Sequence, residues 1–182
     1  MRTATRIILR GLGDEKGIAA LEFAMIFPIL MGLYLGIVAT SQALGTYRKL
    51  TDATVEAANV ASQYAAMQPG DPALILGAAS QIMTPISTAP FGGVMSLVTT
   101  NAAKTAKVTW SCAYNGATPL AQNATFPLPA NMAQANTAYL VVQTAYAFSP
   151  SFGAAQFPAT TMSDQAIILP RLSTTVPLSG GC

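Results

Sequence analysis

Two cysteines, Cys112 and Cys182, are the residues of this 182-residue chain best suited to covalent chemistry, because the sequence contains no histidine. Without imidazole, Ser/His/Asp and Cys/His nucleophile systems cannot form, and most transition-metal sites lose their commonest ligand. Two thiols are too few for a zinc or iron–sulfur site without other soft ligands. We therefore expect no metal and no cofactor. We predict a disulfide between the two cysteines in an oxidising compartment, with two free thiols as the alternative.

Carboxylate chemistry is also poorly represented. Acid–base catalysis by carboxylates usually needs two acidic groups in one site, and residues 73–182 contain a single acidic residue, Asp164. A secreted hydrolase that uses hydroxyl groups or Asp164 is one hypothesis, but a single acidic residue makes a paired-carboxylate mechanism implausible. We expect that the protein is not an enzyme.

The composition separates this chain from ordinary soluble domains. Hydrophobic residues make up 52% of it and charged residues only 9%, whereas soluble domains carry about 25% charged residues. Its mean hydropathy is +0.44. The nine basic residues form no stripe that would bind a phosphate backbone, so we expect no nucleic-acid partner.

A membrane-spanning helix is the strongest feature of the sequence. Residues 23–47 contain no charged side chain, and about 20 apolar residues suffice to cross a bilayer. Four basic residues precede this run and two follow it closely: Arg2, Arg6, Arg10 and Lys16, then Arg48 and Lys49. This excess places the amino terminus in the cytoplasm. We predict a cytoplasmic leader at 1–17, a transmembrane helix at 18–43 and an extracytoplasmic domain at 44–182.

Glu22 stands at the front edge of the apolar run. A charged side chain at the centre of a bilayer costs about 2.5 to 3.5 kcal/mol on insertion scales, so its presence requires an explanation. One explanation is that Glu22 lies one turn inside the membrane boundary and extends its carboxylate to the interface. The other is that Glu22 has a specific partner.

The residues before Glu22 favour the second explanation, in which this carboxylate has a specific partner. A basic leader is followed by Gly17, by four small or apolar residues, and then by Glu22-Phe23 at the start of the long helix. This pattern resembles the type III signal of type IV pilin-like proteins. In that family a prepilin peptidase on the cytoplasmic face cuts after the glycine, and the glutamate stays in the mature helix. The resemblance implies a cut between Gly17 and Ile18.

The likeness extends beyond this motif. Pro28 follows Glu22-Phe23-Ala24 after three apolar residues, and the run Thr-Tyr-Arg-Lys-Leu-Thr-Asp-Ala occupies residues 46–53. Residues 14–66 resemble the TadE family of pseudopilins from bacterial tight adherence (Tad, or Flp) pili. The resemblance implies a single-pass inner-membrane protein that takes part in pilus assembly. Its implied partners are a prepilin peptidase, other pilin or pseudopilin subunits, the pilus membrane platform and the lipid bilayer.

Cleavage after Gly17 would give the motif a physical role. It would create an α-amino group on Ile18 that is cationic at neutral pH. Glu22 could pair with the Ile18 amine of a neighbouring subunit, and lipid would screen this pair only weakly. Such a pair would set the axial register between subunits rather than add much stability.

Three further residues of the apolar helix bear on assembly. Pro28 lacks the amide hydrogen that would bond the Ala24 carbonyl, so it should kink or loosen the helix and could help a subunit leave the bilayer. Gly32 and Gly36 have the small-xxx-small spacing that lets a partner helix approach closely. Alternatively, all three are simply tolerated, because proline and glycine are common in membrane helices.

Two other readings of the amino terminus stay open. The triplet Ser41-Gln42-Ala43 has the spacing of a signal peptidase I site, and cleavage there would release a soluble protein. The helix could also be an uncleaved signal anchor whose outer domain binds a partner unrelated to pili.

The outer domain is predicted to be α+β. The helical period continues over residues 44–66, and a second helix at 72–83 begins after Asp71 as N-cap, with Pro72 at its first position. Strand-like segments follow residue 93, at 94–100, 106–114, 138–148 and 165–169. Cys112 falls on the second strand. We therefore expect a pilin-like fold, in which a long amino-terminal helix packs on a small antiparallel sheet.

Overall fold

The computed structural model describes residues 15–150 and 158–182. The first 14 residues of the predicted leader lie outside the described residues. The chain divides into two compact units, and the second of these comprises Ala43–Ser149 and Pro158–Cys182. This second unit contains the folded core of the protein.

The first helix, α1, runs from Glu15 to Ser62 without interruption. Every side chain from Ile18 to Tyr34 is exposed. Among the described residues, α1 is the one helix long and apolar enough to cross a membrane, with a mean hydropathy of 2.1 in its most apolar window. The core helix of a soluble protein would bury such side chains, whereas a membrane helix exposes them to lipid.

The second half of α1 packs within the folded unit. Its buried apolar positions recur every three or four residues, at Leu50, Ala53, Ala57 and Ala61. This spacing marks one face of a helix. Most of these side chains are methyl groups, so the helix backbone can lie close to the elements beneath it. The helix ends at Ser62, four residues before the predicted end.

A second helix, α2, spans Asp71–Ser80 and continues as a 3-10 turn at Gln81–Met83. The prediction that Asp71 is its N-cap is wrong. The N-cap is Gly70, whose φ of 90° suits glycine. The Asp71 carboxylate instead accepts the backbone N–H of Gln68 at 2.7 Å, which closes the turn before the helix.

Four strands form one antiparallel sheet, in the order β2-β1-β3-β4. They are β1 (Phe91–Thr100), β2 (Ala106–Tyr114), β3 (Ala138–Phe148) and β4 (Thr160–Ile168). The predicted α+β class and antiparallel sheet are therefore confirmed. β1 starts three residues before the predicted 94, and β4 starts five residues before the predicted 165.

The sheet buries apolar side chains on both faces. On β3, Leu140 and Val142 belong to the core cluster that includes the buried face of α1. Between them, Val141 joins a second cluster with Val108 and Phe126 on the opposite face. Alternate residues of a strand point to opposite faces, so a strand covered on both sides is apolar throughout. This explains the continuous apolar run at the start of β3.

The carboxyl-terminal segment crosses the folded unit and is tied down at several points. Met67 donates its backbone N–H to the Pro177 carbonyl at 2.9 Å, and the Trp110 indole donates to the Val176 carbonyl at 2.9 Å. The chain then ends in a disulfide between Cys112 and Cys182, with a Cα–Cα distance of 5.6 Å. The predicted disulfide is thus present, and it fixes the carboxyl terminus to β2.

Candidate functional site

The predicted processing site lies at the start of α1. Gly17 and Ile18 are both helical, and the Ile18 side chain is 54% exposed. The bond between them therefore sits where the predicted leader meets the apolar helix. Ser41-Gln42-Ala43, the competing site, lies in the interior of the same continuous helix.

Glu22 and Phe23 lie one turn further along. Glu22 is exposed, and its carboxylate makes no hydrogen bond or ion pair with any described residue. Phe23 packs against Phe27, with ring centroids 5.6 Å apart and planes tilted by 41°. The result is a carboxylate without a partner among the described residues, next to an exposed aromatic pair. In an apolar environment such a group requires a partner of opposite charge or access to water.

The predicted packing residues follow on the same helix. α1 continues through Pro28 even though proline removes one backbone donor. A Cβ atom built on Gly32 would meet no atom within 4 Å, so the backbone there is open to another helix. The carbonyl of Gly36 accepts the hydroxyl of Thr40 at 2.8 Å. This bond satisfies a polar side chain locally within the apolar segment.

Sequence reasoning missed the role of Lys49. Its ammonium group donates to the carbonyls of Ile82, at 3.3 Å, and Thr84, at 2.5 Å. Both carbonyls lie where the 3-10 turn after α2 ends, and helix ends leave such acceptors without partners inside the helix. These groups are 33 and 35 positions from Lys49 in sequence, so no local pattern could have revealed the contact.

An apolar groove lies between α1 and α2. Its volume is about 330 Å³, and its walls include Val60 and Tyr64 from the α1 side and Leu74 from α2. Glu56 is the only charged residue among its lining residues. The groove therefore offers apolar contact and one carboxylate, and its walls contain no nucleophile–base pair.

The described residues contain little that could serve metal or acid–base chemistry. In residues 15–150 and 158–182, no group of three His, Cys, Asp or Glu side chains could hold a metal ion. Asp164 lies on β4, where its carboxylate accepts the backbone N–H of Gln165 at 2.9 Å. Both cysteines are joined in the disulfide and therefore carry no free thiol.

These observations define a class of protein: one amino-terminal helix that could span a membrane, continuing into a small α+β domain. Residues 17–59 match the family model described as TadE-like protein, which confirms the TadE-like character of the amino-terminal segment. The match covers about a quarter of the chain and indicates involvement in Tad pilus assembly. No curated protein and no solved structure matches the chain.

Proposed function

We propose that this protein is a pseudopilin-like or minor-pilin-like subunit that a prepilin peptidase processes after Gly17. It acts in the assembly of a Tad (Flp-type) pilus or a related secretion system. One observation carries the proposal. The family match begins at residue 17, the predicted cleavage position, and includes Glu22, an exposed carboxylate on an apolar helix that pairs with no described residue.

The proposed mechanism is assembly rather than catalysis. After the cut, the new α-amino group of Ile18 carries a positive charge at neutral pH. It pairs with Glu22 of a neighbouring subunit, in an apolar environment where salt screens the interaction weakly. Because each unpaired charge is costly in lipid, subunits that satisfy both charges are preferred over those in any other axial register.

The rest of the helix supports this role. The open backbone at Gly32 allows a second helix to approach closely. Pro28 weakens the helix locally by removing one hydrogen bond, which eases departure of the subunit from the bilayer. The protein sits in the bacterial inner membrane with its amino terminus in the cytoplasm. Its disulfide-bonded outer domain contacts other pilus subunits and the membrane platform.

The amino-terminal sequence of the protein purified from the membranes of its own host tests the proposal. We expect it to begin at Ile18. A start at Met1 would instead support an uncleaved signal anchor, and a start at Leu44 would support a secreted protein. Gly17→Leu should abolish processing, whereas Gly11→Leu, the same change within the leader, should leave it intact.

Glu22→Gln tests the register separately from processing. The variant should insert and mature normally, because the amide removes the charge and changes the size of the side chain very little. It should then assemble poorly, since the Ile18 amine of its neighbour loses its counter-ion. Normal pilus assembly by Glu22→Gln would contradict the proposed role of this carboxylate.

A further inference from the structure

Beyond its most apolar segment, α1 carries the densest group of charges in the described residues. Arg48, Lys49, Asp52 and Glu56 lie within nine positions, whereas residues 73–182 contain only four charged side chains. The Lys49 ammonium group donates hydrogen bonds to two backbone carbonyls. The other three are exposed, and their side chains make no hydrogen bond or ion pair with any described residue.

These three side chains share one face of α1, because residues four apart are neighbours on a helix surface. Within a single helix, the electrostatic interactions among these three charges are weak or repulsive. A basic residue that precedes an acidic one by four positions is in the less favourable orientation, and Asp52 and Glu56 repel each other at the same spacing. Exposed pairs of this kind add little stability. The charges are therefore available to another molecule.

The order of the charges matters for two parallel copies, which is how copies anchored in one membrane must run. At equal height, this face sets Arg48 against Arg48 and Glu56 against Glu56, and both pairs repel. When one copy is raised by four to eight residues, about 6 to 12 Å along the helix, its Arg48 guanidinium lies between Asp52 and Glu56 of the lower copy. A guanidinium can bond two carboxylates through its several donors.

We propose that Arg48, Asp52 and Glu56 form a docking surface for a second, axially stepped copy of this chain. The inference rests on the proposed function, since the same upward step carries the Ile18 amine of the raised copy toward Glu22 of the lower one. The surface opposes pairing at equal height in the membrane and favours the stepped arrangement of an assembly. The surface thus adds a second interaction that sets the axial position of neighbouring subunits. It acts outside the bilayer, in addition to the pair at Glu22.

Zero-length cross-linking of the full chain in its own host tests the contact. Arg48→Lys places a primary amine on the proposed surface, where a carbodiimide can join it to a carboxylate. We expect a covalent dimer in excess of the wild-type background. Adding Asp52→Asn and Glu56→Gln should reduce that dimer by about threefold or more. Equal dimer yields with and without the two carboxylates would overturn the proposal.

Charge reversal provides the matched test of assembly. Arg48→Glu should lower the assembled fraction, and the triple variant R48E/D52R/E56R should restore it because the complementary order is reversed but preserved. Lys107→Glu, the same charge change on an exposed residue of β2, should assemble like wild type. If Arg48→Glu assembles no worse than Lys107→Glu, the docking surface is excluded.

Sequencing the amino terminus of the same samples separates this inference from the proposed function. If the mature protein starts at Ile18 and the dimer yield does not depend on Asp52 and Glu56, only the docking surface is overturned. If the protein starts at Met1 and the dimer yield does depend on these two carboxylates, the docking surface is supported and processing is overturned. If it starts at Met1 and the dimer yield does not depend on them, both proposals are overturned.

Discussion

The hydroxyl oxygens of Thr54, on α1, and Thr144, on the interior strand β3, lie 2.6 Å apart in the buried core. Thr54 uses its own proton to donate to the Leu50 carbonyl at 2.7 Å. Thr144 must therefore be the donor to Thr54. This polar contact joins helix to sheet and satisfies both hydroxyls without water, at a point where the surrounding helix face is mostly alanine.

The direction of this hydrogen bond predicts unequal effects of two similar substitutions. Thr54→Val leaves the buried Thr144 hydroxyl without its acceptor, and it should lower the free energy of unfolding by about 1 to 3 kcal/mol. Thr144→Val should cost only about 0.5 to 1 kcal/mol, because Thr54 keeps its bond to Leu50. Chemical unfolding of the full chain in detergent measures both. The double variant should cost less than the sum, since the two residues share one contact.

Lys49 is expected to stabilise the attachment of α2 to α1. Lys49→Met keeps much of the apolar stem and removes the ammonium donor to the Ile82 and Thr84 carbonyls. The free energy of unfolding should fall by about 1 to 2 kcal/mol. Lys107→Met is the matched control, because Lys107 is exposed and its side chain makes no hydrogen bond or ion pair with any described residue. An exposed substitution of this kind typically changes stability by less than about 0.5 kcal/mol. Equal losses in the two variants would contradict the capping role.

The disulfide closes a loop of 70 positions. In the chain-entropy model a loop of this size contributes roughly 4 kcal/mol to stability. Cys182→Ser should therefore lower the unfolding free energy by an amount similar to that caused by full reduction of the wild-type protein. Cys112 is only 2% exposed, so Cys112→Ser should cost somewhat more, because it also places a hydroxyl in the core. A negligible loss in Cys182→Ser would refute a stabilising cross-link.

Tyr146 predicts a loss of stability at alkaline pH. Burial raises the pKa of its phenol above the usual value, and its hydroxyl donates to the Ser87 carbonyl at 2.9 Å. The folded state therefore holds the proton more tightly than the unfolded state. The contribution is complete below the unfolded pKa of about 10, and it is lost as the pH rises through the folded pKa.

Comparison with Tyr146→Phe isolates that effect. The variant should be less stable at neutral pH by about 1 kcal/mol, the typical contribution of one hydrogen bond. Its unfolding midpoint should then fall less steeply than that of the wild type above a pH of about 10. Parallel pH profiles for the two proteins would assign the alkaline loss to other groups.

Features encoded by local sequence were predictable. The apolar helix, the strand-like segments and the TadE-like motif each depend on residue types at short, fixed spacings, which physical chemistry converts directly into structure. The same reasoning pointed to the disulfide, because the sequence contains only two cysteines and residues 44–182 are predicted to lie in an oxidising compartment. The prediction of Asp71 as N-cap was wrong because the helix is capped one residue earlier, at Gly70, where glycine adopts a left-handed conformation.

The sequence by itself determined the amino-terminal helix, the α+β class and the residues of the proposed processing motif. Only the tertiary structure decided which distant groups meet: Lys49 with the Thr84 carbonyl, Thr54 with Thr144, and Trp110 with Val176. It also showed that Arg48 and Asp52 are left without partners among the described residues. The physical reason is that local periodicity assigns each side chain to a face, whereas long-range packing of those faces decides which polar groups become satisfied.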